Sequence, residues 1–127
     1  MRYKTDTRTD FDIITPLYSS FDADLADQLN DLVDQSSENG RNLIFDLANL
    51  EEIRDADVQL LCSFHSELYQ HDLSFVLCHI HSACRFLFNE TNEAALNIAP
   101  TLQEAIDLVS MEVLERELLG SDDVPLE

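Results

Sequence analysis

The sequence predicts a single-domain α/β fold: a mixed sheet of four to five strands with a mostly parallel core, and about four helices. Three observations point there. The chain has 127 residues, the size of one domain, and 45 % of them are hydrophobic, enough for a core. Apolar runs of strand length alternate with stretches of helical spacing. Two of those runs are apolar almost throughout, as in strands covered on both faces.

The elements follow in order. Arg2 to Thr7 carries β-branched threonines in alternation, a strand signal, and Phe11 to Thr15 reads as its hairpin partner, closed by Pro16. Asp22 has the chemistry of a helix N-cap. Behind it Leu25, Leu29, Leu32 and Val33 fall on one helical face, and Ser36 to Gly40 should stop that helix, with Gly40 suited to a left-handed exit. Leu43 to Leu47 is a buried strand. Asp55 stands where the next helix would be capped, and Val58, Leu61, Cys62, His65 and Leu68 form its stripe. Leu73 to Ile80 reads as a strand, Ser82 to about Asn89 as a short helix, and Ala95 to Ala99 as a short strand ended by Pro100. Thr101 and Glu104 have the spacing of a capping box opening the last helix, with Leu102, Ile106, Val109 and Val113 on one face. Residues 1–119 are expected to form the domain and 120–127 a frayed acidic tail. The last helix also carries Met111, Leu114, Leu118 and Leu119. These either meet a partner or second copy, or wrap the chain's own sheet edge.

Composition narrows function. The formal net charge of −19 opposes binding to nucleic acid or to an anionic membrane surface. No stretch has the roughly 20 apolar residues of a spanning helix, and the start, Met1 to Asp6, lacks a signal peptide's apolar run. Three cysteines do not make a secreted disulfide framework, so a cytoplasmic location is expected. Cys78, His79, His81 and Cys84 lie close together, but Cys78 and His79 are adjacent on a strand and should point to opposite faces. No metal or other cofactor is therefore expected. Asp46 at a strand end invites comparison with a receiver phosphoacceptor, yet no lysine exists beyond Lys4 to serve that chemistry. Ser63 and His65 cannot face each other on one helix, His65 reads as a packed histidine and His71 as an exposed one. The only glycines are Gly40 and Gly120, so no phosphate-cradling loop exists. An enzyme is not expected.

Asn42 to Leu61 and Leu73 to Leu119 resemble a STAS domain, the family that includes bacterial anti-sigma factor antagonists. The resemblance rests on Phe45-Asp46-Leu47-Ala48-Asn49, on Ile53-Arg54-Asp55-Ala56-Asp57-Val58, and on Leu96-Asn97-Ile98 followed by Pro100 to Ile106. The family signature runs from a strand ending Asp-Leu-Ser to Ile-Asp-Ser-Ser-Gly-Leu at a helix start. Its second serine is phosphorylated by a partner kinase that is also the anti-sigma factor. Here that position is Ala56, flanked by Asp55 and Asp57, with Arg54 in place of the family's aspartate. Alanine has no hydroxyl to phosphorylate, so the usual switch is absent. Ala56 resembles the unphosphorylated state, whereas Asp55 and Asp57 supply fixed charge resembling the phosphorylated one, or merely cap the helix.

The resemblance implies a non-enzymatic interaction module in partner-switching regulation of transcription, with Asp46 a structural residue that organises the loop after it. Its partner would be a kinase-type anti-sigma factor or related regulator, met through Glu52, Arg54, Asp55, Ala56 and Asp57, with Glu51 nearby. A STAS-like sensor of a nucleotide or apolar molecule, or a structural subunit of a regulatory complex, are the competing readings.

Overall fold

A computed structural model describes residues 3–88 and 96–120. A five-stranded sheet runs β1 (Tyr3–Thr7), β2 (Phe11–Pro16), β3 (Asn42–Asp46), β4 (Phe75–Cys78) and β5 (Asn97–Ala99), in that spatial order. β1 is antiparallel to β2, and every other neighbouring pair is parallel. Helices α1 (Ala23–Asn39) and α2 (Asp55–Gln70) follow β2 and β3, a 3-10 helix (Ser82–Leu87) follows β4, and α3 (Leu102–Gly120) follows β5. Among the described residues, the mixed sheet and four helices are those the sequence predicts. The ends of the short helix and short strand that were read at Asn89 and Ala95, and the tail from Ser121, lie outside the described residues.

Alternation along the strands sorts side chains into two cores. Ile14, Leu43, Phe45, Phe75 and Leu77 face α1 and α2, meeting Leu25, Leu29 and Val33 from one helix and Val58, Leu61, Phe64 and Leu68 from the other. Phe11, Ile13, Ile44, Val76, Cys78 and Ala99 face α3 through Ala105 and Val109. β3 and β4 are therefore buried on both sides, which is why they read as unbroken apolar runs. β1 reaches the first core only through the partly buried Tyr3. It is an edge strand with a polar sequence and is largely exposed.

Local signals set most boundaries. The Leu25 N–H donates to Asp22 Oδ1 at 2.9 Å, confirming the cap of α1. That helix runs past its expected stop at Ser36 to Asn39, and Gly40 then turns it out at φ 68°. α2 leaves through Asp72 at φ 60°, with the Leu73 N–H returning to the Leu68 carbonyl at 2.9 Å. β4 is shorter than the expected Leu73 to Ile80: the left-handed His79, at φ 58°, ends it after Cys78, and its ladder begins only at Phe75. The helix at Ser82 is 3-10 rather than α, with Cys84 N–H bonded to the His81 carbonyl at 2.8 Å. At α3, Thr101 Oγ1 accepts from the Glu104 N–H at 3.2 Å and donates to its carboxylate at 3.0 Å.

Two polar clamps tie the layers together. The Arg41 guanidinium donates to the carbonyls of Arg8, Thr9 and Phe11 at 2.6–2.9 Å and to Asp12 Oδ1 at 3.0 Å, fastening the β1–β2 turn to the start of β3. Ser74 joins Glu112 and Arg116 of α3, and the Asn97 amide donates to Glu112 Oε2 at 2.9 Å. Met111, Leu114 and Leu118 of α3 do not wrap the sheet; they are exposed.

Candidate functional site

The parallel strands end together at their carboxyl edge, where the β2–α1 and β3–α2 loops meet. Phe21 N–H donates to the Glu52 carbonyl at 3.0 Å, and the N–H groups of Glu51 and Glu52 both donate to the Ser19 carbonyl at 2.8 and 3.0 Å. Ser20 Oγ adds a bond to Glu52 Oε1 at 2.6 Å. These bonds hold the two loops as one surface beside the start of α2. A shallow groove of about 500 Å³ opens there, lined by Ser20, Phe21, Asp22, Ala23, Glu52, Ile53 and Arg54.

Arg54, not Asp55, occupies the cap position of α2, with extended backbone at φ −107° and ψ 164°. Asp55 is the first helical residue and Ala56 the second, and both are exposed. The cap is supplied from inside the helix. Asp57 Oδ2 accepts the Arg54 N–H at 2.9 Å, and the Arg54 guanidinium lies over the same carboxylate at 3.3 Å. Asp57, expected at the partner surface, is thus only 5 % exposed and is occupied by its own helix start. Glu51, Glu52, Arg54, Asp55 and Ala56 remain facing outward. Their character is acidic around one cation and one methyl group.

A second grouping lies one residue before this loop. Asp46 and Cys78 are register partners at the ends of β3 and β4, so their side chains share the α3 side of the sheet. The left-handed backbone of His79 overturns the expectation that it points away from Cys78. In a regular strand it would; here the strand has ended, and His79 Nδ1 sits 2.9 Å from Asp46 Oδ1. A non-glycine residue in that region costs roughly 1–2 kcal/mol, so the surrounding contacts hold it there. Asp46 Oδ1 also accepts the Ala48 N–H at 3.1 Å, the loop-organising role expected of it. Ligand atoms of Asp46, Cys78 and His79 all lie within 4.8 Å of one another. Burial, and secondarily the Asp46 carboxylate, push the Cys78 thiol up to about 12. All three cysteines are free. Sequence spacing could not reveal this grouping, because it depends on where β4 stops.

A family model described as the STAS domain matches residues 3–105, and the chain belongs to that family. Its fold is shared by solved anti-sigma factor antagonists. SpoIIAA in its unphosphorylated form superposes with a TM-score of 0.69 at 19 % identity, covering 85 % of this chain and 96 % of that one. An antagonist from Mycobacterium paratuberculosis gives 0.72 at 16 % identity, covering 85 % and 92 %. The phosphorylated form of SpoIIAA, a Bacillus cell fate determinant, gives 0.64 at 20 % identity, covering 84 % and 98 %. No curated protein matches the sequence. Among the described residues no helix is long and apolar enough to cross a membrane.

Proposed function

We propose that this chain is a non-enzymatic, cytoplasmic interaction module of the anti-sigma factor antagonist kind, which engages a regulatory protein without a serine phosphorylation switch. The observation that carries the proposal is Ala56. It is exposed at the second residue of α2, where the family signature has its phosphoacceptor, and it offers a methyl group. A phosphoryl group there would lie beside unpaired backbone amides at a helix start. No covalent route leads to that state here.

The surroundings favour a permanently unphosphorylated surface over a mimic of the phosphorylated one. Phosphoserine carries about −1.5 to −2 charges and three acceptor oxygens. Asp57 cannot supply them outward, since its carboxylate serves the Arg54 N–H and guanidinium. Asp55 alone contributes one exposed carboxylate at the helix start. The contact surface is then Glu52, Arg54, Asp55 and Ala56 with the adjoining groove, and the partner is a kinase-type anti-sigma factor or related regulator.

The test uses the full chain and the kinase-type anti-sigma factor of its own host, with binding measured by calorimetry. The wild type should bind and stay bound when ATP is added. Ala56→Ser should bind, accept phosphate and be released, and Ala56→Arg should not bind. Equal affinity of Ala56→Arg and wild type would exclude this surface.

A further inference from the structure

We propose that Asp46, Cys78 and His79 form a binding site for one divalent transition-metal ion of the zinc class, at the carboxyl ends of β3 and β4. The inference does not depend on the partner surface at α2. Three donors of different kinds converge from two adjacent strand ends, their ligand atoms within 4.8 Å of one another. Bond lengths to zinc of roughly 2.0–2.3 Å place donors around one tetrahedral ion about 3.4–3.6 Å apart. Closing the longest separation needs little more than about 1 Å of side-chain adjustment. The closest pair, His79 Nδ1 and Asp46 Oδ1 at 2.9 Å, needs to open by less.

The donor set selects the ion. A thiolate and an imidazole favour Zn²⁺ or Co²⁺ over Mg²⁺ and Ca²⁺, which take oxygen ligands. Three protein ligands leave the fourth position for solvent. The His79 side chain is 38 % exposed and gives a way in, whereas Asp46 and Cys78 form a floor in the protein. The backbone holds that floor in place: the Ala48 N–H fixes Asp46 Oδ1, and the Leu47 N–H donates to the Cys78 carbonyl at 3.0 Å. Binding forms one bond each to Sγ, Nδ1 and Oδ1. The thiol proton leaves to solvent, the imidazole carries its proton on Nε2, and no electron changes hands.

Titration of the chelator-treated full chain with Co²⁺ tests this. One equivalent should bind with sulfur-to-cobalt charge-transfer absorption and the intense visible bands of a four-coordinate ion, and Zn²⁺ should displace it. Cys78→Ser should abolish the charge-transfer absorption, while Cys62→Ser should leave it. His79→Gly keeps the left-handed backbone without strain, so it tests the site even if Cys78→Ser does not fold. It should weaken binding by at least the roughly 10–100-fold typical of losing an outer partner. Cobalt bound without charge-transfer absorption is held by surface carboxylates only, and that result overturns the site. Absorption or affinity unchanged in His79→Gly overturns it equally.

Discussion

His65 lies half-buried on α2, stacked on Tyr69 with ring centroids 5.6 Å apart and edge-on to Phe75 at 6.5 Å. Burial lowers its pKa, and the Glu112 carboxylate opposes that only in part. The folded state therefore prefers the neutral ring. Its contribution to stability is complete above the unfolded value of about 6.5 and is lost as pH falls toward the folded one. Between about pH 7.5 and 5.5 the wild type should lose more stability in urea melts than His65→Gln. Parallel pH curves for the two proteins would refute this. The neighbouring Phe64 packs edge-on with Phe45 and Phe75, at 6.4 and 6.3 Å. Phe64→Ala should cost about 3–5 kcal/mol, read from the same melts. The sequence stripe placed Cys62 and His65 inward and passed over Phe64. Both choices fit helical spacing; the larger apolar ring wins the core and turns the helix so that His65 lies at its margin. Arg41 was equally invisible, because its four acceptors come from a turn about thirty residues earlier.

At the level of elements, the caps were legible because they are local chemistry. Asp22 and the Thr101–Glu104 pair bond within three residues, and Gly40 adopts the conformation its missing Cβ permits. Asp22→Ala should lower stability by about 1 kcal/mol. Gly40→Ala should cost about 1–2 kcal/mol from backbone strain alone, since an added Cβ meets nothing within 4 Å. Gly40→Asn, which tolerates the left-handed region better, should recover part of that loss in the same denaturation assay. The extent of β4 was not legible. Asp and His are enriched among non-glycine residues at positive φ, but that preference is too weak to mark Asp72 and His79 among the chain's many aspartates and its other histidines. The start of α2 shows the same limit. Asp55 and Asp57 are both plausible caps by type, and the structure gives the bond to Asp57 and the cap position to Arg54.

For the whole molecule, the order of elements followed from apolar pattern together with caps and prolines, and the double-sided burial of β3 and β4 from short, nearly unbroken apolar runs of strand length. Charge follows a different logic. Four arginines are committed to partners: Arg8 to Asp6, Arg41 to Asp12, Arg54 to Asp57 and Arg116 to Glu112. Over the whole sequence 26 acidic side chains stand against 7 basic ones, a formal net charge of −19. Self-repulsion of this kind destabilises a compact state and is screened over about 10 Å at 0.1 M salt. Screening also weakens the ion pairs, but four pairs are few against the excess of acidic side chains. Repulsion should therefore dominate the balance. Raising NaCl from about 0.02 to 0.5 M should increase the Tm by a few degrees, about 1 kcal/mol of stability. Replacing the exposed Asp31 of α1 by Lys should raise the Tm at low salt and shrink the salt effect, with little change at high salt. A Tm that falls as NaCl rises would mean that the paired arginines, rather than the excess of acidic side chains, set the electrostatic balance of the fold.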